Sequence, residues 1–141
     1  MILLDTNVVS EPMRPKGDLA VERWLDQQVA ETLYLAVTSL SELLVGIAML
    51  PAGRRKQGLA TALDELVKQL FGSRILPFDR EAAVEYARLV ALAGRVGRKI
   101  AVADAQIAAI AAVHGFTVAT RDTEPFVAVG IPVINPWLAG F

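Results

Sequence analysis

Short apolar runs of strand length, each followed by a helical stretch, recur along the whole chain, and this alternation restricts the fold more than any other feature. Residues 1–4 form a continuous apolar run closed by Asp5-Thr6-Asn7, as suits a buried strand that opens into a turn or helix cap. A helix is expected over 19–28, with Leu19, Trp24 and Leu25 available for packing, and a second strand over 32–37. Ser39-Leu40-Ser41-Glu42 has the pattern of a capping box, opening a helix whose Leu40, Leu43, Leu44 and Ile47 share one face and which Pro51 ends. A longer amphipathic helix over 53–71 leads to a third strand over 75–78, and Asp79 then caps a helix running to about Gly94. Beyond the basic loop 95–99 comes an alanine-rich helix over 103–113, stopped by His114-Gly115. The last strands are expected over 117–120 and 132–134.

Strands alternating with helices imply right-handed crossovers, hence a three-layer α/β/α arrangement with a mainly parallel central sheet. At 141 residues, with no linker, repeat or low-complexity segment, the chain is expected to form a single domain over 1–141. No stretch supplies the roughly 20 uninterrupted apolar residues of a membrane span. The apolar segment 105–120 is cut by His114-Gly115, and 125–141 by Pro125, Gly130, Pro132 and Pro136. With no basic leader or cleavage site before Asp5, a cytoplasmic protein is expected.

The chain has no cysteine and one histidine. That excludes a disulfide scaffold, a cysteine nucleophile, a Cys/His zinc cluster and a nuclease working with paired histidines. His114 lies in the last turn of its helix, where it suits a helix C-terminus better than catalysis. The 15 acids and 14 bases sum to −1, so no global field draws the chain to a polyanion. Chemistry must come from carboxylates, hydroxyls or local cations.

Four acids stand out by position. Asp5 closes the first strand, Glu42 lies in the first turn of the helix after the second, and Asp122 follows the strand over 117–120. Ligands of open α/β sheets bind at the carboxyl ends of the strands, so these three belong to one rim. Asp104 begins a helix after a loop, and its convergence does not follow from this rule. Gly46 beside Glu42 and Ala108 beside Asp104 are expected to leave an open floor near each carboxylate. Carboxylates among the hydroxyl and amide groups of Thr6, Asn7, Ser39 and Thr120 suit a hard cation, Mg²⁺ or Mn²⁺. Two carboxylates about 5 Å apart repel by roughly 3 kcal/mol at an effective dielectric near 20, so all pairs among four total on the order of 20 kcal/mol. A typical domain is stable by only about 5–15 kcal/mol, so protonation, spreading or a cation must relieve such a cluster. Taken singly, each acid also has a structural use as a helix cap or turn residue.

The order and spacing of several strings resemble the PIN-domain toxins of the VapC/FitB type, the toxin half of bacterial toxin–antitoxin pairs. They are Ile2-Leu3-Leu4-Asp5-Thr6-Asn7 with Glu11-Pro12, Ser39 through Glu42-Leu43 to Gly46, and Ile75-Leu76-Pro77-Phe78-Asp79. Asp104-Ala105-Gln106-Ile107-Ala108-Ala109, Thr120-Arg121-Asp122 and Ile134-Asn135-Pro136-Trp137 complete the set. The resemblance implies a PIN-like fold and a metal-dependent endoribonuclease that leaves a 5′-phosphate and a 3′-hydroxyl. It carries the family's core acids onto Asp5, Glu42 and Asp104 and its fourth onto Asp122. Asp5 and Asp104 are expected to bind the ion directly, and Glu42 and Asp122 through water or a second ion. It further implies an RNA substrate, a homodimer and a cognate antitoxin lying in a groove near the acids.

Arg121, Arg98 and Lys99 are the expected RNA contacts, while Arg54-Arg55-Lys56 reads as solvated surface. Trp24 and Trp137 suit core or interface better than base stacking. Two other functions compete. A phosphoryl-accepting Asp5 is disfavoured by Asn7, which stands where a second acid is needed, and by the lack of a lysine near a later strand end. A non-catalytic RNA-binding or scaffold module predicts RNA binding without metal-dependent cleavage.

Overall fold

The computed structural model describes residues 1–139. β1 (Ile2–Leu4) leads through α1 (Thr6–Ser10), a 3-10 turn (Glu11–Met13) and α2 (Leu19–Gln27) to β2 (Leu33–Ala36). Next come α3 (Val37–Ala48), α4 (Arg54–Glu65) continued by a π turn (Leu66–Phe71), and β3 (Ile75–Leu76). The chain then forms α5 (Arg80–Arg95), α6 (Val102–His114), β4 (Thr117–Ala119), α7 (Glu124–Ala128) and β5 (Val133–Ile134). The strands lie in the order β3-β2-β1-β4-β5, and all four pairings are parallel.

The period of two along each strand explains the three layers. Leu3, Tyr34, Ala36 and Val118 face α5, α6 and α7, while Ile2, Leu4, Leu33, Leu35 and Ala119 face α1 to α4. The apolar strand runs carry no polar alternation because both faces are covered. Asp18 and Asp79 cap α2 and α5 by accepting the N–H groups of Ala20 (2.8 Å) and Ala82 (2.9 Å). Gly115, at φ 67°, takes the left-handed conformation that ends α6, as its place after His114 suggests.

Several local expectations are corrected. The capping box does not form, because α3 starts directly at the end of β2, with Ala36 as its cap residue. Glu42 is therefore in the second turn of α3, and Ser39 is wholly buried inside the helix. Leu44 and Leu19 are exposed rather than packed, and Ala108 is sealed in the core rather than forming an open floor. β3 stops at Leu76, just before Pro77. Proline has no N–H to give a ladder. α7, a five-residue helix with Pro125 in its first turn, had no periodic signal to announce it.

Candidate metal centre at the carboxyl rim of the sheet

The register of the sheet builds the first half of the site. Leu4 stands opposite Ala119, and the Asp5 N–H donates to the Ala119 carbonyl at 2.9 Å, so Asp5 and Thr120 leave β1 and β4 side by side. The buried Thr120 hydroxyl donates to Asp5 Oδ2 at 2.7 Å and accepts the Asp122 N–H at 3.1 Å. The Thr6 N–H donates to Asp5 Oδ1 at 2.7 Å, while the Thr6 hydroxyl donates to Glu42 Oε1 at 2.6 Å. Two threonines thus join Asp5, Glu42 and Asp122 in one hydrogen-bonded chain.

Asp104 enters from the third residue of α6, close enough for its charge to act on Asp5 and for those of Glu42 and Asp122 to act on it. Burial, followed by the charges of Asp104 and Glu42, outweighs the Thr120 and Thr6 bonds and pushes Asp5 up to about 6. The Asp104 carboxyl is also raised, first by burial and then by the charges of Asp122 and Glu42. A link that the sequence reading missed ties the helices carrying these acids: the Thr38 hydroxyl donates to Gln106 Oε1 at 2.9 Å, joining α3 to α6. The available signal was a glutamine inside an otherwise apolar alanine-rich helix.

The other expected neighbours divide. Asn7 accepts the Arg121 N–H at 3.3 Å, tying α1 to the loop that carries Asp122. Ser39 Oγ is buried with no partner and does not join the threonine chain. The Arg121 guanidinium lies 5.3 Å from the Trp137 ring centre in a cation–π contact instead of neutralising an acid. Arg98 is held by the exposed Glu124, which leaves Lys99 as the exposed one of the two expected contacts in that loop. Lys56 donates to the Ala48 and Leu50 carbonyls at 3.1 and 3.2 Å, a C-terminal cap for α3 rather than a solvated charge.

Among the described residues no Lys or Arg forms an ion pair with any of the four acids. Nor does any group of three acids or histidines there form a ready cage for an ion. This donor set still fits Mg²⁺, which keeps several waters and takes one or two carboxylates directly.

Replacing Thr120 by valine removes a donor from Asp5 and an acceptor from Asp122 within a packed site. The variant should lose about 1–3 kcal/mol in urea unfolding. Stability equal to the parent would show that this bond contributes nothing.

Gly46 lies one turn beyond Glu42 on α3, with ordinary helical backbone and nothing within 4 Å of where a Cβ would stand. Mid-helix glycine costs about 0.5–1 kcal/mol relative to alanine, and no packing contact requires it here. The open floor expected beside Glu42 is therefore present.

The PIN domain family profile matches residues 2–131. The VapC ribonuclease Y4jK of Sinorhizobium fredii is 48% identical over 137 residues, covering 97% of this chain and 98% of that protein. The toxin FitB of Neisseria gonorrhoeae is 47% identical over 137 residues, covering 97% of this chain and 99% of that protein. The structure of FitAB bound to an IR36 DNA fragment superposes with a TM-score of 0.95 at 44% identity, covering 100% of this chain and 99% of that one. The chain belongs to the PIN-domain family.

Proposed function

We propose that this protein is a Mg²⁺-dependent endoribonuclease and the toxin of a bacterial toxin–antitoxin pair, acting in the cytoplasm. The observation that carries the reading is the threonine-linked chain from Glu42 through Asp5 to Asp122, within reach of the Asp104 charge and free of internal ion pairs. Its similarity to a VapC ribonuclease and to toxin FitB supports the same activity and role. No helix among the described residues is long and apolar enough to cross a membrane. An antitoxin partner is supported by the FitAB structure. A homodimer is supported by the exposed Leu44 and Val45 on α3 and Met49 at its C-terminal end.

Asp5 and Asp104 would hold the ion directly, with Glu42 and Asp122 acting through water or a second ion. When bound, Mg²⁺ supplies polarisation of a phosphoryl oxygen and a lowered pKa for the attacking water. The protein's own contribution is positional. Thr120 and Thr6 fix both oxygens of Asp5, so its carboxylate keeps one orientation as substrate enters. Thr6 occupies Glu42 Oε1 and leaves Oε2 to accept a proton from the water that attacks in line. Mn²⁺ is expected to substitute, because the donors are all oxygen.

A non-catalytic RNA-binding module would bind RNA without cleaving it. Expression of the parent and Asp5→Ala in a bacterial host, followed by mapping of RNA ends, separates the two. New 5′-phosphate ends and arrested growth are expected with the parent alone. Identical ends and growth in both cultures would rule out the ribonuclease.

A further inference from the structure

Two clefts border the helical layer of α1 to α4, and they differ in chemistry. The larger, about 980 Å³, includes none of the four acids and has Glu22, Asp26 and Glu65 among its lining. The smaller, about 280 Å³, begins at Thr6 and Glu42 and follows α3 past Leu43, Gly46 and Ile47 to Leu50. The seven helical residues from Glu42 to Ala48 give this stretch a length of roughly 10 Å. Arg14 and Arg55 line it as well. The Arg14 side chain is 62% exposed although it meets Glu11 at 3.3 Å, and Arg55 forms no ion pair among the described residues.

We propose that this smaller cleft is the subsite for the nucleotide next to the scissile phosphate of a single-stranded RNA, an inference that rests on RNA cleavage at the acid cluster. The base lies over the apolar floor at Leu43 and Ile47, in the space that Gly46 leaves open. The adjoining phosphate meets Arg55 and Arg14. Recognition of single strands combines such surfaces, an apolar face for the splayed base and guanidinium groups for the backbone. The glycine supports this use, since a side chain there would meet no part of the fold and would stand in the cleft. Cations in the lining favour a polyanion over a polypeptide, for which the larger, acid-lined groove is the better match in size and charge.

Gly46→Leu and Arg55→Gln test the assignment, with Gly46→Ala as the smaller control. Each is first melted, and all three should unfold at or above the parent temperature, because helix interiors favour these residues over or equally with the originals. Binding is read by fluorescence anisotropy of a labelled single-stranded RNA in a cleavage-silent Asp104→Asn background, and turnover by Mg²⁺-dependent cleavage in the parent background. Gly46→Leu should weaken binding roughly tenfold and raise KM with kcat little changed, as removal of a ground-state contact does. Arg55→Gln should reduce the slope of log affinity against log salt by about 0.7, one phosphate contact's share. Unchanged binding and cleavage in both variants overturns the subsite and leaves the cleft to a polypeptide. Absence of cleavage by the parent itself overturns the ribonuclease reading and the subsite with it.

Discussion

Asp104→Asn should raise the melting temperature in metal-free buffer and at the same time reduce Mg²⁺-dependent RNA cleavage by about three orders of magnitude. The two effects share one cause. Asp104 is the acid whose charge interacts with those of the other three, and its own carboxyl is held above the usual range by burial and by the charges of Asp122 and Glu42. Removing its charge relieves repulsion on every side, while an asparagine amide fills nearly the same space. The proposed ion loses one of its two direct carboxylates in that change. A metal clamp on a phosphoryl group is worth several kcal/mol, and about 4 kcal/mol corresponds to a thousandfold in rate. A side chain kept only for stability would move both readouts downward together, whereas a functional charge held at the expense of stability moves them apart. Cleavage of labelled RNA by Asp104→Asn at more than a tenth of the parent rate would show that Asp104 is not a direct ligand.

How much of this site was legible beforehand depends on how each residue reaches it. Asp5 and Thr120 meet because adjacent parallel strands end in register, and a strand-end rule applied to the sequence captures that. Asp104 reaches the same place through α6, positioned by its packing against α5 and by the Thr38 to Gln106 bond, none of which a local pattern encodes. The same limit explains Arg98, whose partner Glu124 lies 26 residues away on a helix too short to be anticipated. Ser39 misled for a different reason. A Ser-x-x-Glu string resembles a helix start wherever it occurs, but β2 passes into α3 without a loop, so the start falls three residues earlier and the serine turns inward. Strand alternation, by contrast, survives such shifts, since a helix that starts early still crosses over the same face. The three-layer parallel fold was accordingly legible while the details of α3 were not.

The second large effect is expected in the pH dependence of stability. Asp5 is 6% exposed, and its carboxyl is pushed from the ordinary 3.8 up to about 6, burial being the largest cause. The folded chain therefore holds this proton more tightly than the unfolded chain. Below pH 3.8 both states are protonated and the favourable contribution of the neutral acid is complete. As pH climbs from there to about 6, the unfolded state releases the proton first, and the contribution is lost. A difference of about 2 units corresponds to roughly 3 kcal/mol. Asp5→Asn is neutral throughout and keeps acceptor and donor atoms for Thr6 and Thr120, so it should lack this loss. Without divalent cations, the stability advantage of Asp5→Asn over the parent should thus grow by about 2 kcal/mol between pH 4 and 6.5, or about 4–8 °C in melting temperature. Mg²⁺ at a hundred times its dissociation constant should return about 2.7 kcal/mol to the parent at pH 7 and much less to the variant. Thermal unfolding over a pH series, with EDTA and with Mg²⁺, measures both. Parallel curves for the two proteins would mean that Asp5 carries no such burden. A metal response of equal size in both would place the ion elsewhere, because only an ion that meets the Asp5 carboxylate can compensate for the cost of ionising it in the folded state.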